Sequence, residues 1–297
     1  TPPFYHIDGQ ILDEVYVYGS FLQSKMYTAG VVCTDCHGPH SNKLHAEGNA
    51  LCTQCHKAEA FDTAKHHHHS VRSAGGRCVN CHMPESIYMG IDGRRDHSIR
   101  IPRPDLSVTT GVPNACTQCH VEQSASWAVA ALKSWNVELD PIEKHKVELL
   151  FAVHQGDIRA HPELAQLALN PNVDTIWRGT AVEMLGDQAA GQTSVVVEAL
   201  MRSHDPLLRA SAVRSLGRVS LRERYRLLQP FLKENNTSVA MEIATMLAGV
   251  PLDQLPQNDR MALQGLFEGY LSVQAEHTDM PAVLMQLGRF HSDRGDI

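Results

Sequence analysis

The sequence predicts a mostly α-helical protein built in two parts. All eight cysteines lie before residue 120 of the 297-residue chain. Beyond that point the chain is rich in Ala, Leu, Val and Arg, and its apolar residues recur with helical spacing. We therefore predict an N-terminal domain over residues 1–122 with little regular structure, followed by a domain of helical repeats over residues 123–297.

Every cysteine belongs to one of four copies of the pattern Cys-x-x-Cys-His. The copies are Cys33-Cys36-His37, Cys52-Cys55-His56, Cys78-Cys81-His82 and Cys116-Cys119-His120. In a c-type site, two thiols with this spacing bond covalently to the vinyl groups of haem, and the next histidine coordinates the iron. The pattern predicts four haem c groups, attached through the eight cysteines and ligated on the proximal face by the four histidines.

Paired cysteines also occur in zinc sites and in disulfide-bonded proteins. A zinc site does not require a histidine directly after the second cysteine, whereas all four copies have one. A disulfide across two intervening residues is typical of redox-active or strained bridges rather than of a structural framework. Covalent haem is therefore the favoured interpretation.

The predicted N-terminal domain has few apolar side chains from which to build an ordinary core. Successive first cysteines are 19, 26 and 38 residues apart, and the intervening stretches are filled with Gly, Pro, His and polar residues. This composition predicts short helical turns at the motifs, joined by loops. We expect the porphyrins to supply much of the buried surface and to lie close together, as rapid electron transfer requires.

The same domain contains more histidines than the proximal positions use. The distal candidates are His6, His40, His66, His67, His68, His69 and His97, with His45 a weaker one. Four are needed, and the surplus favours bis-histidine irons, which carry electrons rather than bind a substrate. The run of four adjacent histidines is expected to supply one or two ligands. Other conceivable ligands are Met26, Met83, Met89 and Lys25, although methionine more commonly packs in irregular cores.

Three stretches resemble known haem proteins. Gly30–His40 and Leu51–His56 look like the doubled CXXCH motif of multihaem cytochromes c, in which the histidine at the position of His40 commonly ligates a neighbouring haem. Cys78–Pro84 is similar to units of cytochromes related to nitrite reductase and hydroxylamine oxidoreductase. Arg94–Pro102 resembles the distal-histidine segment of those proteins, which implies that His97 is a ligand.

The whole chain resembles the C-terminal part of bacterial multihaem cytochromes that end in tetratricopeptide repeats. This resemblance rests on segments such as Asp8–Met26 and Arg103–Ser107. It implies the cofactor and does not supply a substrate.

A repeat of 31 residues runs through the second part of the chain. Asp174, Asp205 and Asn236 occupy predicted helix starts, where a side-chain oxygen caps free backbone N–H groups. Apolar residues recur in register behind them: Trp177, Leu208 and Val239; Ala181, Ala212 and Ile243; Val182, Val213 and Ala244; Leu185, Leu216 and Leu247. The predicted close of each helix is marked by Gly186, Gly217 and Ala248.

Second helices of each pair are predicted at Ser194–Arg202 and Arg222–Lys233. Helix pairs at a constant period form an α-solenoid, and this one resembles short HEAT repeats. An irregular helical bundle is the alternative. Two further helices, at Ala125–Trp135 and Ile142–Val153, are expected to link the repeats to the fourth motif.

The end of the chain looks like the first helix of a tetratricopeptide unit. The residues that carry this likeness are Leu284, Leu287, Gly288 and Phe290, followed by Gly295 and Asp296. The partner helix is missing, so we expect either that the chain was cleaved here or that the apolar face packs on a neighbour. The histidines of the second part lack paired cysteines and are expected to be surface or packing residues.

The composition limits the possible partners of the protein and its possible cellular location. The formal net charge is −7, and no run of Lys or Arg resembles a nucleic-acid surface. No apolar run approaches the roughly 20 residues that span a bilayer, so no transmembrane segment is expected. Haem c is attached outside the cytoplasmic membrane, which predicts a periplasmic or extracellular protein. Thr1 does not begin a signal peptide, so the sequence is expected to be mature or trimmed.

Electron transfer between redox partner proteins is the favoured function. His6, on an N-terminal arm expected to be flexible, could ligate a haem of the adjacent subunit and join copies into a filament. One alternative is a nitrite- or hydroxylamine-type oxidoreductase with an open iron near Arg94, Arg95, Tyr88 or Lys25. A protein-interaction scaffold is the third hypothesis. No catalytic residue is predicted.

Overall fold

The computed structural model describes residues 4–188 and 190–296, so the outer ends of the predicted domains, Thr1 and Ile297, lie outside the described residues. The chain forms two compact units, Thr1–Phe151 and Ala152–Ile297. The described residues form seventeen α-helices, seven short 3-10 helices and one two-stranded sheet. The predicted mostly α-helical fold is confirmed.

The first unit consists of short elements joined by long loops. Its α-helices are α1 (Val17–Phe21), α2 (Lys25–Thr28), α3 (Ala58–Phe61), α4 (Ala64–His67), α5 (Cys78–His82), α6 (Pro104–Thr110), α7 (Ala115–Cys119), α8 (Ala125–Ser134) and α9 (Pro141–His154), the last of which runs into the second unit. Its 3-10 helices are Cys33–Asp35, Gly48–Leu51 and Ala74–Gly76. The expected short helical turns at the motifs are therefore present.

The first unit buries little apolar side-chain surface around the motifs. Before residue 100, the buried apolar side chains among the described residues are Ile11, Phe21, Pro84 and Tyr88. Farther along, helices α6, α8 and α9 do form a core, with Leu106, Ala128, Val147 and Leu150 buried. The part of the unit that carries the first three motifs thus lacks a side-chain core of its own.

A β-hairpin follows the third motif and was not predicted from the sequence. Strand β1 (Glu85–Tyr88) pairs antiparallel with β2 (Asp92–Arg95). Met89 and Gly90 at its tip both have positive φ, at 50° and 75°, as type I′ hairpin turns require. Because the strands are only four residues long, the alternation of apolar residues was too brief to reveal them.

The second unit is built from longer helices. These are α10 (His161–Leu169), α11 (Thr175–Gln188), α12 (Ala190–Leu200), α13 (Pro206–Arg214), α14 (Leu221–Leu228), α15 (Thr237–Met246), α16 (Gln257–Ala275) and α17 (Pro281–Arg294), with 3-10 helices at Ile158–Ala160, Ser215–Arg218, Gln229–Phe231 and Leu252–Gln254. Helix α14 is shorter than predicted because Pro230, which lacks a backbone N–H, lies in the 3-10 helix that follows it.

The 31-residue register corresponds to one buried face. All twelve residues of the register, on α11, α13, α15 and the turns that follow them, are buried. Asp205 accepts a hydrogen bond from the Leu207 N–H at 2.9 Å, and Asn236 accepts one from the Val239 N–H at 3.2 Å, so both act as helix caps. Helix α11 packs on α13, and α13 packs on α15.

Gly186 lies in the last turn of α11, near the close of the helix, where the sequence predicts it. A Cβ atom built at this position would lie 2.1 Å from the carbonyl oxygen of Ser215. The absence of a side chain therefore allows α11 to contact the 3-10 helix Ser215–Arg218 directly.

The predicted terminal helix forms as α17, but only part of its expected apolar face is covered. Phe290 packs on Phe267 and Tyr270 of α16, with ring centroids 5.4 and 4.6 Å away. Leu284 remains 54% exposed. The buried side of α17 is therefore defined by Val283 and Phe290.

We predict that Gly186→Ala destabilises the second unit, because the new methyl group would meet backbone that cannot move aside. Overpacking of this kind costs about 1–3 kcal/mol. Gly265→Ala in α16 is the matched control, since a Cβ there meets no atom within 4 Å. The control should stabilise the helix by about 0.5–1 kcal/mol, because alanine loses less entropy than glycine. Urea denaturation measures both, and equal midpoints for the two variants would contradict the packing argument.

Candidate haem sites

Each Cys-x-x-Cys-His motif is one helical turn. The N–H of His37 donates to the carbonyl of Cys33 at 3.0 Å, and His56 and His120 make the equivalent bonds to Cys52 and Cys116 at 3.0 and 2.9 Å. The third motif forms helix α5. One turn places residues i, i+3 and i+4 on the same face. The two thiols and the imidazole of each motif therefore project from one side of the backbone.

Consecutive motifs are neighbours in space. The pKa of Cys52 is raised to about 11 by burial and by the Cys78 thiol, its hydrogen-bond partner in the third motif. Burial, with smaller contributions that include Cys55 of the second motif, raises the pKa of Cys36. Burial followed by Cys116 of the fourth motif raises the pKa of Cys81. Thiols with raised pKa values stay protonated near neutral pH, unlike the reactive thiolates of dithiol oxidoreductases.

Three motif histidines face a second histidine across a narrow gap. The ring centroids of His37 and His97 lie 6.3 Å apart, with an interplanar angle of 26°. Those of His82 and His66 lie 6.1 Å apart at 12°, and those of His120 and His69 lie 6.0 Å apart at 39°. Each pair joins one motif histidine to one histidine from the distal candidates.

These separations fit an iron between the two rings. With metal–nitrogen bonds of about 2.0–2.1 Å, two imidazoles on opposite sides of one metal have ring centroids about 6.3 Å apart. The rings of His68 and Trp135, which stack in direct contact, have centroids only 4.1 Å apart. The three pairs therefore have the spacing of bis-histidine haem ligands.

Four of the paired imidazoles are oriented by backbone carbonyl groups. Their Nδ1 atoms face the carbonyl oxygens as follows: His37 to Asn42 at 3.1 Å, His82 to Arg100 at 2.9 Å, His97 to Arg95 at 2.9 Å, and His69 to His67 at a very short separation. An imidazole that donates through Nδ1 has its Nε2 lone pair available for a metal. The carbonyls therefore fix both the tautomer and the direction of the ligand nitrogen.

The run of adjacent histidines divides its roles. Helix α4 ends at His67, and His68 adopts a left-handed conformation with φ of 54°. This reversal separates His66 from His69, which face different motif histidines. His68 stacks on Trp135 with an interplanar angle of 9°, and His67 accepts a hydrogen bond from the His69 N–H at 3.2 Å. Two residues of the run therefore face motif histidines and one stacks on Trp135, while the Nε2 of His67 is buried without a hydrogen-bond partner among the described residues.

Arg95 links the third motif to the segment that carries His97. Its guanidinium donates to the carbonyls of Val79 and Met83, at 3.3 and 3.1 Å, near the end of helix α5. It also donates to Asn80 Oδ1 at 3.1 Å. The carbonyl of Arg95 is the acceptor that orients His97. Arg95 therefore contacts the third motif and also orients His97, the histidine that faces His37 of the first motif.

The rest of this segment is anchored by buried polar contacts. The Asp96 carboxylate accepts hydrogen bonds from the Ser20 hydroxyl and the Ser98 N–H, and all three residues are buried. Arg100 forms an ion pair with Asp8 at 3.2 Å while its carbonyl accepts from His82. The segment from Asp96 to Arg100, which carries His97, is thus fixed at both ends.

Other distal candidates lie elsewhere. The backbone N–H of His6 donates to the Gln10 carbonyl at 2.8 Å, and its half-buried ring has a pKa lowered chiefly by that burial. His45 uses Nε2 in a 2.9 Å contact with the Thr34 carbonyl. His40 is exposed and makes no ring contact within the described residues.

The motif histidine His56 contacts Phe61 edge-on, with ring centroids 5.7 Å apart.

Most side chains named for substrate binding have structural partners. Arg94 pairs with Asp92 at 2.7 Å and lies over the Tyr88 ring, 5.5 Å from its centroid. Arg95 is committed to the third motif, and Lys25 lies exposed in α2. These groups do not converge on a motif histidine in any contact of the described residues.

Comparison with known proteins agrees with the geometry. Residues 26–61 are a doubled CXXCH motif. The motif implies a multihaem c-type cytochrome, so it indicates covalently bound haem c. The match covers the first two Cys-x-x-Cys-His copies. No curated protein and no solved structure matches the chain.

Two further searches concern the described residues alone. Across residues 4–188 and 190–296, no cluster of three or more His, Cys, Asp or Glu side chains is arranged to hold a bare metal ion. Over the same ranges, no helix is long and apolar enough to cross a membrane.

We predict that Arg95→Gln perturbs the sites of the first and third motifs together. Losing a charged donor to backbone carbonyls costs about 1.5–3 kcal/mol. The variant should unfold at lower urea concentration and should show altered EPR g values for more than one low-spin haem. Arg94→Gln is the neighbouring control, because its ion pair is largely exposed and should contribute under about 1 kcal/mol. Identical spectra for the two variants would refute a positioning role for Arg95.

Proposed function

We propose that this chain is an electron-transfer cytochrome with four covalently attached haem c groups, one on each motif. The observation that carries the proposal is the set of three histidine pairs at 6.0 to 6.3 Å. A haem iron closed by two histidines supplies a one-electron couple and leaves no position for substrate. The doubled CXXCH match supports haem c binding independently.

The proposed ligand sets follow from these pairs. We assign His37, His56, His82 and His120 as the proximal ligands. His97 is the distal ligand for the first motif, His66 for the third and His69 for the fourth. The carbonyl groups that accept from Nδ1 hold these rings in place, so ligand geometry changes little between oxidation states.

The contacts between thiols support a continuous electron path. The Cys55 thiol contributes to the raised pKa of Cys36, the Cys78 thiol to that of Cys52, and the Cys116 thiol to that of Cys81. Each successive pair of motifs is thus in proximity, in the order of the chain. We propose that electrons enter and leave at the two ends of this series, by contact with redox partner proteins.

We propose that the second part of the chain is a HEAT-like α-solenoid that serves as a platform for protein contacts, with the functional division after residue 122. Ion pairs between successive copies support the repeat. Arg214 on α13 pairs with Glu183 on α11 at 2.7 Å and with Glu242 on α15 at 2.9 Å. One guanidinium thereby connects three successive copies, as expected where each repeat contacts only its neighbours.

A periplasmic or extracellular location follows from the attachment chemistry of haem c. The filament hypothesis receives no support from His6, whose backbone lies in a turn closed by the Tyr5–Ile11 bridge. Its ring is half-buried beside Asp8 and Arg100. Our proposal is therefore limited to electron transfer between partner proteins.

Intact-mass measurement tests the number of haems. We expect the mass of the chain plus four haems, retained after acid–organic extraction because thioether bonds are covalent. A mass equal to the haem-free chain would overturn the proposal. A mass with two haems would restrict attachment to the doubled motif.

Single substitutions test the distal assignments. Each of His97→Ala, His66→Ala and His69→Ala should convert one low-spin haem to a high-spin one, because the iron loses its second imidazole. His68→Ala is the matched control from the same run, since its ring stacks on Trp135. EPR spin quantification reads out the change. A high-spin signal from His68→Ala, or none from the other three variants, would contradict the assignments.

A further inference from the structure

We propose that Trp135 and Trp127, which lie just after the end and near the start of helix α8, are positioning residues for the haems of the third and fourth motifs. These roles rest on the proposed function, because they assume that His66, His69 and His120 ligate iron. Neither tryptophan belongs to a motif or to the run of adjacent histidines. Both contact imidazole rings rather than a metal, so they act on the irons through the ligands.

The backbone between the two distal ligands reverses at His68. This residue has a φ of 54°, in the left-handed region that residues with a side chain rarely adopt. The reversal directs His66 toward the third motif and His69 toward the fourth. The orientation of one ligand at each of two haems therefore depends on the conformation of a single residue.

Trp135 makes the contact that holds this conformation. The imidazole of His68 lies flat on the indole, with ring centroids 4.1 Å apart and an interplanar angle of 9°. Trp135 is itself fixed at the end of α8, because its N–H donates to the carbonyls of Ala131 and Leu132 at 3.1 Å. Ring contact of this kind stabilises one placement of the imidazole. The stack thus supplies a tertiary restraint on a locally unfavourable backbone conformation.

Both rings assigned to the fourth haem also contact a tryptophan. Trp135 lies edge-on to His69, with ring centroids 6.5 Å apart at an interplanar angle of 80°. His69 also packs against Gly75, where an added Cβ atom would overlap the imidazole. Trp127 contacts the opposite ligand, His120, with ring centroids 4.8 Å apart. The proximal and distal sides of this haem are therefore both held by residues of α8 and its C-cap.

The first motif provides the contrast. Within the described residues, the rings of His37 and His97 contact each other and no Phe, Tyr or Trp ring. Their orientation is set by the carbonyl groups of Asn42 and Arg95. The first haem is therefore an internal reference, in the same molecule, for a change made at either tryptophan.

EPR of the oxidised, fully haem-loaded chain tests the inference. The low-spin signals of the first, third and fourth haems are identified by their loss in His97→Ala, His66→Ala and His69→Ala. We expect Trp135→Ala to shift the g values of the third and fourth haems and to leave those of the first unchanged, with every haem low-spin. Trp127→Ala should shift the fourth alone. Trp135→Phe keeps an aromatic ring at the stack and should restore the wild-type signal of the third haem.

Two variants of His68 separate the backbone effect from the ring contact. His68→Ala and His68→Gly both lose the stack, but glycine adopts the left-handed conformation readily. We expect shifted g values for the third haem in His68→Ala and wild-type values in His68→Gly, with all haems low-spin in both. Added to Trp135→Ala, His68→Gly should restore the third haem and leave the fourth shifted, because the contact with His69 is still missing. Circular dichroism and intact mass check folding and haem content.

Other outcomes are distinguishable. Unchanged g values in Trp135→Ala, or equal shifts that include the first haem, would overturn the inference. Identical spectra from His68→Ala and His68→Gly would also overturn it, and this comparison leaves α8 intact, so it decides the matter if Trp135→Ala does not fold. A wild-type mass with fewer than four haems, or a wild-type spectrum with high-spin third and fourth haems, would instead defeat the proposed function.

Discussion

The opposition of two imidazole rings across a gap of about 6 Å is the constraint on which the first unit depends. Few apolar side chains are buried around the motifs, so this part of the chain does not pack around an ordinary side-chain core. The polypeptide fixes the orientation of the histidine rings. Carbonyl groups set the orientation of the ligand rings, and buried polar contacts hold the segments that supply them.

Segments that are distant in sequence are held together by shared hydrogen bonds and ion pairs rather than by a common apolar core. The segment from Arg95 to Arg100 aims His97 at the first motif with one carbonyl and orients His82 of the third motif with another. Its side chains reach back to Asp8 and to helix α5. A displacement of this segment would move both His97 and the carbonyl that orients His82, so the positions of these two rings are coupled.

A haem c attachment motif can be predicted from the sequence because it depends on local spacing, whereas the pairing of histidine rings across the fold cannot. Nothing in the run His66–His69 indicates which rings diverge, since that is decided by the left-handed backbone of His68. His40, a distal candidate by its motif position, has an exposed ring that makes no ring contact within the described residues, so its role as a ligand stays a prediction. These outcomes are set by tertiary placement, which sequence spacing does not encode.

The helical register was predictable, because buried positions recur at the helical period on every copy. The periodic pattern did not reveal two local features of the structure. The hairpin after the third motif is too short to show alternation, and the need for glycine at position 186 arises from the carbonyl of Ser215, distant in sequence. A close approach between two backbone segments produces no periodic pattern in the sequence.

The proximity of the Cys52 and Cys78 thiols has a consequence for biosynthesis. Before any thioether forms, folding would bring together two free thiols that belong to different motifs. In an oxidising compartment, such thiols are the ones that an oxidant would join, and a cross-motif disulfide would consume one attachment point from each of two sites. Attachment must therefore precede compaction, or the thiols must be kept reduced until the prosthetic groups arrive.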